Sequence, residues 1–122
     1  MKAFEVSNFA ALIGIDWADR KHDICELNCR TNSQYFSVIS SQPKHINAWA
    51  NDLRARYKGQ LVAVACELKK GPLIYALSKF NHIVLFPINP RSVARYRETF
   101  TQSGAKDDPT DAAIQTEILK LH

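Results

Sequence analysis

Three aspartates, Asp107, Asp108 and Asp111, fall within five positions of the stretch SGAKDDPTDAA, Ser103 to Ala113. The chain as a whole carries a formal net charge of +4, so this negative cluster runs against the general balance, and its internal repulsion has to be offset. Two arrangements would do that. With Asp108 as N-cap, Pro109 takes the first helical position and Asp111 the third, which sets carboxylates against the positive end of a helix dipole. Alternatively, a spacing of three puts Asp108 and Asp111 on one helix face, where they could hold a metal ion together. The stretch by itself leaves both open. Asp16 and Glu67 add to it, because each closes an apolar run, ALIGID and LVAVACE. Taken singly, each acid would pass as a solvated strand end. Together the four are hard oxygen donors suited to Mg²⁺, with Mn²⁺ as substitute. A pair of such ions roughly 3.5–4 Å apart activates a water or hydroxyl and stabilises the leaving oxygen of a phosphodiester.

The elements that must position these acids can be read from hydrophobic period and breakers. ALIGIDWA (Ala11 to Ala18) is a short apolar run, HDICELNC (His22 to Cys29) alternates, and QYFSVIS (Gln34 to Ser40) follows the turn residues Arg30 to Ser33. Three strands with short links favour an antiparallel meander. From Ser41 to Tyr57 the period becomes helical, with Pro43 near the start, Ile46, Trp49, Ala50 and Leu53 on one face, and Gly59 beyond the end. LVAVACE (Leu61 to Glu67) and HIVLFPI (His82 to Ile88) are apolar without alternation, as strands covered on both faces are. GPLIYALSKF (Gly71 to Phe80) reads as a helix with Pro72 in its first turn, and NPRSVARYRETF as a helix capped by Asn89 with Pro90 first. Asp108 to Leu121 forms the last helical pattern, with Ala112, Ile114, Ile118 and Leu121 apolar.

The expected order is β-β-β-α-β-α-β-α-α, the plan of the ribonuclease H-like fold. This is an α/β architecture: a mixed five-stranded sheet, three-stranded antiparallel meander plus two parallel strands, with helices on both faces. In that plan the first and fourth strands are parallel neighbours, so Asp16 and Glu67 emerge at one sheet edge. Two carboxylates converging there with no neutralising arginine nearby in sequence would repel, and a divalent cation removes the conflict.

Length and composition bound the rest. At 122 residues the chain is expected to be a single domain, residues 1–122, with 46% hydrophobic and 10% aromatic residues to build a core. The last helical pattern is cut short at ILKLH, which points to a longer protein. A pI near 9.1 permits a polyanionic partner without requiring one. Cys25, Cys29 and Cys66 contain no C-x-x-C pair and no further ligands at zinc spacing, so reduced, buried thiols are expected. No run approaches the roughly 20 apolar residues of a membrane helix, and Glu5, Ser7 and Asn8 interrupt any signal-peptide core. The expectation is a cytoplasmic protein with no membrane contact.

The segments GIDWADRKHD, CELKKGPLIYALSKF and FPINPRSVARYRETFTQSGAKDDPTDA resemble the N-terminal domain of the DEDD transposases of bacterial insertion sequences. These are relatives of the Piv invertase, with a catalytic domain like that of the Holliday-junction resolvase RuvC. The resemblance runs from about Leu12 to the C-terminus and is most specific in the PINP, RYRE and SGAKDDPTDA block. It implies that the catalytic and metal-binding tetrad is Asp16, Glu67, Asp108 and Asp111, holding Mg²⁺ as two ions, with no ligand role for Asp107. It further implies metal-dependent cleavage and rejoining of DNA in transposition or site-specific inversion, and a guide RNA encoded by the element as a second partner. A homo-oligomer, and a coiled-coil helix leading to a serine-bearing C-terminal domain absent from this chain, complete the implied enzyme.

Other residues admit two readings each. Lys69, Lys70, Arg91, Arg95, Arg97 and Lys106 lie in the same half as the late acids. Arg91 and Arg95 share a helix face opposite Val93 and Phe100, where they would grip phosphates or form a solvated basic face; Lys69, Lys70 and Lys106 join them as nucleic-acid-binding candidates. Tyr75, Tyr96 and Trp17 could stack on bases, although core packing is expected for Tyr75. His22 and His45 are expected to be structural or exposed. A kinase of the actin-like plan would need a glycine-rich hairpin after the first strand, and DWADRK offers a bulky Trp17 and no glycine. A DEDD-type exonuclease would need D-x-E where Asp16-Trp17-Ala18 stands. A ribonuclease H-like nuclease or resolvase is a lesser alternative, and the alternative of another class is a metal-free nucleic-acid-binding remnant of a truncated transposase.

Overall fold

A computed structural model of the chain describes residues 8–16, 18, 20–67, 71–102 and 111–121. The first three strands, β1 (Ala11–Asp16), β2 (Lys21–Asn28) and β3 (Ser33–Ser40), form the antiparallel meander. The β2–β3 turn closes because the Asn28 Oδ1 accepts the backbone N–H groups of Arg30 (2.9 Å) and Thr31 (3.2 Å), while Asn32 adopts a φ of 62°. Helix α1 (Pro43–Arg56) then crosses to β4 (Val62–Glu67), α2 (Gly71–Ser78) leads to β5 (Ile83–Ile88), and α3 (Pro90–Gln102) and α4 (Asp111–Leu121) end the described chain. The sheet order is β3-β2-β1-β4-β5, with β4 parallel to both β1 and β5. Element order and sheet composition are those of the ribonuclease H-like fold, as the sequence predicts.

The apolar runs of β1 and β4 follow from their central positions, covered on both faces. Ile13, Ile15, Val62 and Val64 face α1 and α2, where they pack with Trp49, Leu53 and Leu77. Leu12, Ala63 and Ala65 face the other way, against Val93 of α3 and Ile114 and Leu119 of α4. Each large side chain buried here contributes about 1.5–3 kcal/mol.

Four details differ from expectation. The strand β5 is an edge rather than a strand buried on both faces, and Pro87 within it explains why: proline cannot donate to a second neighbour. Helix α1 begins at Pro43 rather than Ser41; Gln42 before it makes no side-chain cap, and the Ser40 hydroxyl supports the entry by accepting the Gln42 N–H at 3.1 Å. Tyr75 is 82% exposed instead of packed, because it lies about 200° around α2 from the buried Leu77. Finally, Gln115 and Thr116 are fully buried, although only the apolar positions of the last helix were expected to face the core.

Candidate metal centre and nucleic-acid interface

The β1–β4 ladder pairs Ala11 with Val62 and Gly14 with Ala65; the same register, carried two residues on, sets Asp16 level with Glu67. Alternation places both on the face shared by Leu12, Gly14, Ala63 and Ala65, beneath α3 and α4. Both side chains are half-buried. On the opposite flank, Asp23 of β2 pairs directly with Asp16 and is exposed. Three acids therefore stand in a row across β2, β1 and β4, and like charges set directly opposite destabilise a sheet unless a cation relieves them. No spacing motif marks Asp23; only the hairpin register brings it beside Asp16.

Asp111 is the first residue of α4, and that helix is clamped to β1. A Cβ on Gly14 would lie 2.1 Å from the Ala112 carbonyl oxygen and 2.9 Å from the Thr116 Oγ1. Only glycine lets the helix backbone come so close. The buried Gln115 donates from Nε2 to the Ile15 carbonyl at 3.0 Å. The Thr116 hydroxyl lies within hydrogen-bond distance of the Cys25 and Ala112 carbonyls, at 3.3 and 3.1 Å. These bonds fix the start of α4, and with it Asp111, over the end of the strand that carries Asp16. Gln115 and Thr116 are positioning residues that polarity alone hid, since buried polar side chains bonded to a strand backbone look like surface residues in a helical pattern.

The start of α4 carries a counter-ion that the sequence alone did not assign. Arg97 of α3 forms an ion pair with Asp111. Among the described residues, no three His, Cys, Asp or Glu side chains gather closely enough to hold an ion together. Asp108, its expected capping role with Pro109, and Lys69, Lys70 and Lys106 lie outside the described residues. Arg91 and Arg95 are both exposed, on the side of α3 opposite the buried Val93, and Asn89 caps this helix by accepting the Arg91 N–H at 2.9 Å.

Ala18, two residues beyond Asp16, is also held. His22 is fully buried and its Nδ1 accepts the Ala18 N–H at 3.2 Å; burial lowers its pKa below the usual histidine value, which a backbone hydrogen bond at Lys21 only partly opposes. The neutral ring is the form that can accept this bond. Beside Glu67, burial and then the Glu67 charge push the Cys66 thiol up to about 11, so it is an uncharged core side chain at neutral pH. Cys25 is likewise buried and Cys29 half-buried; all three thiols are free.

A mixed sheet in the order β3-β2-β1-β4-β5, with helices on both faces and acids at the ends of its adjacent parallel strands, is that of a ribonuclease H-like domain. A family model of the DEDD transposases of the IS110 group, described as Transposase, matches residues 13–122, and the chain belongs to this family. It is similar to a protein of Sinorhizobium fredii named as the transposase y4uE, at 28% identity over 110 residues, covering 88% of this chain and 30% of that protein. It is also similar to the mini-circle transposase for IS117 of Streptomyces coelicolor, at 34% identity over 110 residues, covering 88% of this chain and 26% of that protein. The chain thus spans under a third of the length of these curated relatives.

Proposed function

We propose that this domain supplies the metal-dependent phosphodiester chemistry of an insertion-sequence transposase acting on DNA, in transposition or site-specific inversion. The observation that carries this reading, beside the family membership, is that Asp16 and Glu67 lie level on adjacent parallel strands while α4 is packed onto Gly14 with Asp111 as its first residue. The donors fit Mg²⁺: all are carboxylate oxygens, and Asp23, Asp16 and Glu67 stand side by side across three neighbouring strands. Asp16, Glu67 and Asp111, with Asp108 completing the tetrad, would hold the metal. A pair of such ions would activate a water or hydroxyl and stabilise a leaving oxygen.

The protein's own residues do the positioning. Gly14, Gln115 and Thr116 hold the start of α4, with Asp111, on β1, and His22 holds Ala18 close to Asp16. Arg91 and Arg95 present guanidinium groups to phosphates, with Lys69, Lys70 and Lys106 extending that surface. Strand transfer, a homo-oligomer and a structured RNA partner belong to the longer protein of which this domain is the catalytic part, and the basic balance of the chain suits both nucleic acids.

Calorimetric titration of Mn²⁺ into the wild-type domain and Glu67→Gln tests the reading, because Glu67 is remote from the start of α4. Binding that is lost or sharply weakened in Glu67→Gln is expected; unchanged binding would sink the shared site. A metal-free nucleic-acid-binding remnant would show DNA binding with no Mn²⁺ uptake, whether or not a duplex is present.

A further inference from the structure

Among the proposed ligands, Asp111 carries a guanidinium counter-ion. It is paired with Arg97, which reaches it from the neighbouring helix α3. The pair is not a core strut: the Arg97 side chain is 45% exposed and the Asp111 side chain 29%. A guanidinium at this exposure can leave without abandoning a desolvated charge, since pairs of this kind are individually weak. The helix start beneath it is held independently, by the close contact at Gly14 and by Gln115 and Thr116. Asp111 therefore does not need Arg97 in order to stay where it is.

We infer that Arg97 is an exchangeable counter-ion of the metal site. It neutralises Asp111 while the site is empty of metal and must be displaced when a divalent ion binds. The inference rests on the proposed reading of Asp16, Glu67 and Asp111 as ligands. A monovalent guanidinium offsets part of the repulsion at the acidic edge, but it competes with the ion for the same oxygen lone pairs and repels it by charge. Arg97 acts through Asp111, so it is a positioning residue, and it sets the metal concentration at which the site fills.

The test is Mn²⁺ titration by calorimetry of the 122-residue chain as wild type, Arg97→Gln, Arg97→Lys and Glu67→Gln, with thermal melts of each in chelator. The pair is half-exposed, so Arg97→Gln should bind Mn²⁺ about two- to fivefold more tightly than wild type. Its metal-free melting point should fall slightly, since a small contact is lost. Arg97→Lys keeps the charge and should stay near wild type. Equal or weaker Mn²⁺ binding in Arg97→Gln, with Glu67→Gln still strongly impaired, would overturn the exchange and leave the metal site standing: Arg97 would then be a structural tie. Mn²⁺ binding that Glu67→Gln leaves intact would remove the site itself, and an absence of binding in every variant would overturn both.

Discussion

Substituting Gly14 by alanine should separate the last helix from the sheet. The added Cβ would sit 2.1 Å from the Ala112 carbonyl oxygen, where ordinary contact begins near 3.4 Å, and the clashing atom is backbone that cannot rotate away. Helix α4 has to retreat from β1. Overpacking of this kind costs about 1–3 kcal/mol. Retreat also stretches the Gln115 bond to the Ile15 carbonyl and the Thr116 contact with the Cys25 carbonyl, each worth about 1 kcal/mol. Alanine recovers about 0.4–1 kcal/mol by restricting the unfolded chain. The net loss is about 3 kcal/mol, equivalent to about 12 °C in melting temperature for a domain of this size. Urea melts of Gly14→Ala measure the loss, and Mn²⁺ calorimetry on the folded fraction should show weakened binding, because Asp111 moves with the helix while Asp16 and Glu67 stay. A stability within about 0.5 kcal/mol of wild type would refute the close packing of α4 on Gly14.

Two further outcomes concern the opposite face and the His22 contact with Ala18. Glu26 is 5% exposed, accepts a bidentate pair from Arg56 and is hydrogen-bonded by the Tyr57 hydroxyl. Glu26→Ala leaves both donors unmatched and should cost about 2–3 kcal/mol by urea melts, at the low end for a buried pair because the Arg56 side chain is 42% exposed; a loss below about 0.5 kcal/mol would show that the network is replaced by solvent. His22 has its pKa lowered by burial, so its contribution is present above the unfolded value near 6.5 and is lost as pH falls through the lower folded value. Stability of wild type minus His22→Gln should therefore decline below about pH 6.5, and a difference independent of pH would mean that folding does not shift the ring's titration. On the nucleic-acid side, Arg91→Ala and Arg95→Ala should each lower the salt slope of duplex binding by about 1, and an unchanged slope would make them a solvated face.

How much of this was legible in the sequence follows from what each signal depends on. Strands and helices were readable because period and breakers are local: the apolar runs ending at Asp16 and Glu67, the Asn89-Pro90 start of α3, and the left-handed Gly59 with φ 78° after α1. The shared edge of Asp16 and Glu67 was readable one step further on, since the order of elements fixes which strands are neighbours. Local reading failed where a side chain's role is set by an element distant in sequence. Asp23 faces Asp16 only through the hairpin register, and Tyr75 is exposed because a short helix buries one narrow stripe. Arg97 meets Asp111 across two helices. Gln115 and Thr116 bond to strands about a hundred positions away in the chain.

The clamp of α4 on β1 also bears on the question raised by the three aspartates. Capping and coordination are usually weighed as rivals for Asp111, yet here they draw on different parts of the structure. The helix is held through Ala112 against Gly14 and through Gln115 and Thr116, all within about a turn and a half beyond Asp111 and independent of its carboxylate. A carboxylate at the first turn still gains from the helix dipole, by about 0.3–1 kcal/mol, but the helix does not depend on that gain to stay in place. Asp111 can therefore exchange partners, from the guanidinium of Arg97 to a metal ion, without the fold being lost. Tight backbone packing beneath a loosely paired acid is what a ligand that must bind and release would require.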